Sequence, residues 1–354
     1  MSARHFNPAV FLLPAFILAA ACVLNAAVEP DSLLLRSQIV RRDTLATELN
    51  SLLRLGAERL KRDDPESARQ AFDRALKLAP EDEKAWIGVG RCHLERKDSR
   101  ARLIQVMERW FDLDNVSRAI RCFEKAVELS PGSAEAHYWL GSACMKRYGK
   151  DDLERALNHL KLSLGLGGFN RDLGFKLALL NKALGNLEDA EKVLSEIIEA
   201  EQGRIDPLAG LEMVKISLGR RNYDRVLRLY WEGVKNISGR EEFKAYWDDV
   251  VMIADEEEQE EYDQTPPAQA EQFFRQFWFK RDHELDLSPG MRLLRHYYRL
   301  AGADSLYRVP FARRNPSVGP LAANYPDIDV PYDDRGLVYI RHGQPDRTFS
   351  QIGE

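Results

Sequence analysis

The 354-residue chain has little cysteine, four residues in all, and no two are spaced as C-x-x-C. That removes the usual signature of a zinc site. It also lacks a glycine-rich phosphate loop, an H-E-x-x-H helix and a G-x-S-x-G elbow, so the commonest nucleotide, metalloprotease and serine-hydrolase motifs are missing. Positive charge is not concentrated: 51 Lys and Arg stand against 56 Asp and Glu, with no basic stripe. A nucleic-acid partner is therefore not expected, and neither is a metal or a cofactor. What remains, 30% charged and 44% hydrophobic residues, suits a helical protein of two or three domains.

The first 28 residues differ from the rest. Arg4 and His5 precede an uncharged apolar stretch from Pro8 to Val28, and the first acid is Glu29. This pattern reads as a signal peptide or membrane anchor, to be left out of the fold. Three fates stay open. The run ending in Cys22 resembles a bacterial lipobox, which implies lipidation of Cys22, although Ala19 stands where that motif has Leu. Cleavage near Ala26 or Ala27 is the second, and an uncleaved span of about 20 residues the third. Each puts the protein in or on a membrane or beyond it, with residues 29–44 as a linker.

From residue 45 a two-helix pattern recurs. Leu52, Leu55, Gly56, Ala68, Phe72, Ala75 and Pro80 recur as Trp86, Val89, Gly90, Ala119, Phe123, Ala126 and Pro131. Pro80 and Pro131 are 51 residues apart, so against a period of about 34 the second unit carries an insertion at about 98–114. Leu140, Gly141, Cys144, Ala156 and Leu160 continue the series, as do Leu177, Ala178, Ala190, Leu194 and Ile197. A fifth unit is degenerate, with Val226 for the usual Ala. The stretch 45–236 resembles the tetratricopeptide family, which implies an α-solenoid of about five units. It also implies a groove lined by first helices that takes a protein segment. Transferred by register, the groove residues are Asn50, Lys61, Arg91, Glu95, Tyr138, Ser142, Lys146 and Lys182; a bare solvated helix face accounts for them equally well. Cys92 and Cys144 fall near the buried seam and Cys122 beside a core Phe, where a free thiol acts as a small apolar residue. A disulfide between two of them stays open.

After Glu241 the period is lost. An acidic run from Asp255 to Glu261 precedes Pro266-Pro267 and then an apolar stripe of Phe273, Phe274, Phe277 and Trp278 at helical spacing. Residues 309–333 read as an irregular connector. Leu337, Val338, Tyr339 and Ile340 carry the weight of a strand. The region 241–354 resembles the bacterial GWxTD-domain family at Phe277, Trp278, Arg281 and Asp282, and again at Asp334, Arg335, Gly336, Gly343, Pro345 and Asp346. It departs at the name-giving motif, where Val330, Pro331 and Asp333 replace Gly, Trp and Thr. The resemblance implies a small α+β region that stops short, and hence a truncated frame or a fragment.

"LVYIRHGQPD" also resembles the opening strand of the histidine phosphatase superfamily, which would make His342 the nucleophile and Arg341 the phosphate clamp. The second His and further Arg of that superfamily have no room in the 11 residues after Gly343, so turn chemistry at Gly343 and Pro345 is the favoured reading. The sequence thus points to a mostly α fold and a non-enzymatic scaffold of the bacterial cell envelope that binds protein through its groove. The alternative is a hydrolase built on the C-terminal region.

Overall fold

A computed structural model describes residues 30–96, 114–147, 150–167, 170–200, 204–218, 222–307, 332 and 334–344. The N-terminal segment with Cys22, the body of the insertion at 98–114, and Pro345 and Asp346 lie outside these residues. The chain divides into two compact units, Met1–Arg147 and Tyr148–Glu354.

The first unit holds α1 (Pro30–Lys61), α2 (Pro65–Leu78), α3 (Glu83–Glu95), α4 (Asn115–Leu129) and α5 (Ala134–Met145). The stretch expected to be a linker, 29–44, is helical from Pro30 onward. Pro30 occupies a first-turn position where its missing N–H costs nothing, and no Gly or Pro follows before Gly56. The four later helices each begin on a side chain that accepts a backbone N–H three residues on: Asp64 from Ser67, Asp82 from Ala85, Asp114 from Ser117 and Ser133 from Ala136. These caps satisfy N–H groups that a helix start leaves unbonded.

Each helix packs on the next, and α3 also packs on both α1 and α5. Phe72 and Phe123 on the second helices are buried, with Ala68, Ala75, Ala119 and Ala126 fully so. The first helices reach these rings because they present glycine. A Cβ on Gly56 would lie 2.5 Å from the Phe72 ring, and one on Gly90 would lie 2.5 Å from the ring of Phe123. Gly88 meets the root of the Phe72 ring just as closely. The three described cysteines, Cys92, Cys122 and Cys144, are buried, and no disulfide joins any two of them.

The second unit runs α6 (Lys150–Gly165), α7 (Arg171–Ala183), α8 (Leu187–Ala200), α9 (Pro207–Ser217), α10 (Tyr223–Lys235), α11 (Arg240–Val250), α12 (Glu256–Gln264), α13 (Ala270–Glu284), α14 (Met291–Leu306) and α15 (Asp334–His342). Pairs α7/α8 and α9/α10 continue the two-helix pattern; α11 packs on α9, α13 and α14 pack on α10, and α15 packs on α14. Tyr230 on α10 is the hub. Its ring meets those of Trp231, Tyr246, Phe274, Trp278 and Tyr297 at centroid distances of 5.1 to 6.3 Å, within the range where aromatic pairs attract. Trp278 Nε1 donates to Tyr230 Oη at 2.8 Å, and Tyr246 Oη donates to the Pro207 carbonyl at 2.9 Å. These buried polar tips are therefore satisfied.

The stretch expected to be a strand is α15, and the described residues contain no strand of the expected α+β region. Gly336, Leu337 and Ile340 are buried along one helical face, whereas Val338 is exposed. Arg299 Nη1 donates to the Arg341 carbonyl at 2.7 Å and Arg292 Nη2 to the same oxygen at 3.4 Å, closing the helix C-terminus. Gly343 follows at φ +92° and its N–H donates to the Tyr339 carbonyl at 2.7 Å, a left-handed helix stop.

Gly88→Ala is expected to destabilise the first unit by about 1–3 kcal/mol through overpacking against Phe72. Gly132→Ala, where nothing lies within 4 Å, is expected to stay within about 0.5 kcal/mol. Urea titrations of the two variants check this, and equal midpoints would remove the packing argument.

Candidate functional site

Of the eight residues assigned to a groove, the structure brings three together. On α3, Arg91 Nη2 is 3.4 Å from Glu95, and the guanidinium lies 4.7 Å over the ring of Trp139 on α5. Tyr138 meets Trp139 edge-on at 5.2 Å, and Phe123 stacks on its inner side at 6.2 Å. Arg91, Glu95, Tyr138 and Trp139 are all half-buried. Sequence reasoning missed Trp139 because its neighbour Tyr138 took the groove position. The signal was there in the adjacent pair of large aromatics on one first helix.

The other five are elsewhere. Asn50 and Lys61 are exposed on α1, and Lys146 is exposed just past the end of α5. Ser142 is buried, and its hydroxyl has no hydrogen-bond partner, so it faces the core. Lys182 belongs to the second unit and is held by Glu212 at 2.6 Å.

That ion pair opens a chain of alternating charge across α7, α9 and α11, alternate helices of the second unit. Lys182 on α7 meets Glu212 on α9, Lys215 lies 3.0 Å from Glu212, and Lys215 reaches Asp249 on α11 at 3.0 Å. Burial alone would raise the Glu212 carboxyl, but Lys215 and Lys182 outweigh it and bring its pKa to about 2. Burial pushes Asp249 the other way, upward, against the pull of Lys215. Behind Asp249 sits His296, fully buried, whose Nε2 is 2.8 Å from the Asp249 carbonyl. That contact requires a proton on Nε2, and the buried Nδ1 has no acceptor for a second one. Burial, with Arg292 nearby, brings the His296 pKa to about 3.

The motif residues of the C-terminal region serve packing. Phe277 and Trp278 are buried. Arg281 grips Glu258 with both Nη atoms at 2.6 Å, gives Nη2 to the Ile253 carbonyl at 2.7 Å, and lies 3.6 Å over Phe277. Asp282 accepts the backbone N–H groups of Gly290 at 2.7 Å and Arg292 at 2.8 Å, anchoring the start of α14. Arg335 lies over Tyr307 at 5.8 Å, and Gly336 makes room for Tyr332 and Tyr307. Asp334 is half-buried at the start of α15. Arg341 Nε donates to the Met252 carbonyl at 2.8 Å, and His342 is exposed at the helix end. The supposed phosphate clamp is thus engaged with backbone. Among the described residues no His, Cys, Asp and Glu cluster is arranged to hold a metal, and no helix is long and apolar enough to cross a membrane.

Residues 53–101 and 111–170 match the tetratricopeptide repeat family, and the chain carries that repeat there. No curated protein matches the chain. Among solved structures it is similar to MamA at 22% identity, over 54% of this chain and 97% of that one, with a TM-score of 0.40. A thermophilic TPR protein of Thermus thermophilus is similar at 19% identity, over 58% and 99%, with a TM-score of 0.42. PilW, a type IV pilus biogenesis factor, is similar at 16% identity, over 62% and 96%, with a TM-score of 0.43.

The depressed His296 pKa carries a pH dependence with a definite sign. The unfolded chain takes a proton near pH 6.5 and the folded chain does not until about pH 3. Stability is therefore complete above pH 6.5 and falls by about 1.4 kcal/mol per unit as the pH drops below it. His296→Gln keeps a donor for the Asp249 carbonyl and is expected to flatten the slope between pH 6.5 and 5 by that amount. Parallel slopes in urea titrations of the two proteins would count against a neutral buried ring.

Proposed function

We propose that the chain is a non-enzymatic scaffold that captures a segment of a partner protein on the face formed by α3 and α5. The observation that carries this reading is the Arg91–Trp139–Tyr138 cluster, a cation and two aromatic rings half-exposed on neighbouring first helices. Rings backed by a buried Phe lose little side-chain freedom when covered, and Trp, Tyr and Arg supply most binding energy at protein surfaces. The chain's own pairing of Arg91 with Glu95 holds the guanidinium in place. Rigid helices then need little rearrangement on binding. The GWxTD-like region adds a second helical body in this reading and no chemistry of its own.

The apolar stretch at 8–28 supports placing this scaffold in a bacterial envelope, tethered or exported through its N-terminus. The intact mass of the cell-derived protein tests that part. A lipid-modified Cys22 terminus, or loss of the first 26 or 27 residues, is expected; full length in a soluble fraction would remove it.

Arg91→Glu combined with Tyr138→Ala reverses the charge and deletes the rim while leaving Phe72 and Phe123 untouched. Cell extracts crosslinked through a photoreactive residue at Glu135, exposed one turn before Trp139 on α5, should yield a discrete partner band, reduced about tenfold or more in the double variant, a loss of about 1.4 kcal/mol. Unchanged yield, with unchanged circular dichroism, would reject this face.

A further inference from the structure

Helices α12 and α13 of the second unit enclose a cleft of about 210 Å³. Glu257, Glu258 and Glu261 line it from α12, Gln276 and Lys280 from α13, and Phe273 and Phe277 close its floor. At this volume it is smaller than a typical small-molecule pocket, which starts at roughly 300 Å³. It has room for one long side chain.

The same helix pair already binds an arginine of this chain. Arg281 lies 3.6 Å over Phe277, with Glu258 taking both its Nη atoms. A second arginine, Arg240, sits 4.1 Å over Tyr262 of α12 and 3.7 Å from Asp263. Lys280 is turned to Asp255 at 2.8 Å and reaches Glu258 at 3.5 Å. Glu257 and Glu261 are left over. Both are exposed, they stand one turn apart, and no described residue pairs with them or with Glu256 and Glu260. Like charges at this spacing repel along a helix, and an added cation would relieve that.

We propose that this cleft is a docking site for a basic segment of a partner protein, one arginine of which enters between Glu257 and Glu261 with its methylenes against Phe273. The carboxylates of the α12 wall match a guanidinium in charge and in hydrogen-bonding capacity, and Lys280 on the opposite wall is already paired with Asp255 and Glu258. The three carboxylates lining the cleft outnumber that one cation and disfavour phosphate, so a nucleic acid or an anionic lipid surface is not the occupant. This inference does not depend on the reading of the α3–α5 face.

The test uses the full chain and a fluorescein-labelled peptide, Gly-Ser-Arg-Arg-Ser-Gly, with a Glu-for-Arg peptide as the negative probe. Fluorescence anisotropy is expected to show saturable binding of the Arg peptide, weakened by added salt, and none of the Glu peptide. E257Q/E261Q should weaken binding about tenfold. Q276W should do the same without changing charge, by filling the cleft. E188Q/D189N, which removes two exposed acids on α8, should stay within about twofold. Binding weaker than about 1 mM overturns the proposal. So does an equal loss in E188Q/D189N, or full binding by Q276W, since either reduces the effect to diffuse attraction.

Discussion

The first unit depends on how closely its helices approach at the rings of Phe72 and Phe123. Gly56, Gly88 and Gly90 have no Cβ to hold the neighbouring helix away, so each ring lies against backbone. Close-packed interiors tolerate little change of volume at such points. The approach fixes where α3 and α5 stand, and through them where Arg91 meets Trp139. A patch of four half-buried side chains is thereby held by residues that never touch a partner.

The second unit solves the same packing problem with larger residues and more polar ones. Tyr230 gathers five rings around it, and Gly233 again makes room, this time for the Tyr246 hydroxyl. Alongside runs the alternating series Lys182, Glu212, Lys215, Asp249. Two cations and two acids face one another, and their mutual attraction offsets the desolvation cost of holding them in a half-buried seam. Pairing Lys182 with Glu212 and Lys215 with Asp249 also ties α7 to α9 and α9 to α11, because a slip would leave a buried charge alone. The neutral His296 behind Asp249 belongs to the same arrangement: a charged ring there would face Arg292 and Arg281.

Local signals made the repeats legible. Small residues and Phe at fixed offsets marked Ala68, Phe72, Ala75 and their counterparts Ala119, Phe123 and Ala126, all of them buried. Asp64, Asp82, Asp114 and Ser133 cap the helices that carry these residues or pack against them. Non-local effects hid the rest. Leu337 to Ile340 have the composition of a strand, yet the carbonyls at the end of that stretch are taken by Arg292 and Arg299 from more than forty residues upstream. Such side chains decide between helix and strand where a short apolar run does not. Lys182 looked available because its partner Glu212 lies thirty residues on, in the next first helix. Ser142 occupies a groove register, but the close approach of its neighbours buries it.

Residues that stand out as motifs and residues free to act on a partner are largely different sets here. Arg281, Asp282 and Arg341 attract attention by family likeness, and each spends its hydrogen-bonding capacity inside the fold: on Glu258, on the start of α14, and on the Met252 carbonyl. A guanidinium with its donors committed to buried acceptors could turn to a ligand only by leaving those acceptors unpaired, at about 1–3 kcal/mol each. Glu257 and Glu261 carry no such commitment. Arg91 is committed to one half-buried pair with Glu95 and to a ring face, with a single 3.4 Å contact to give up. The polar groups that motif reasoning passes over as ordinary solvated charge are therefore the ones whose energetics leave them available for binding.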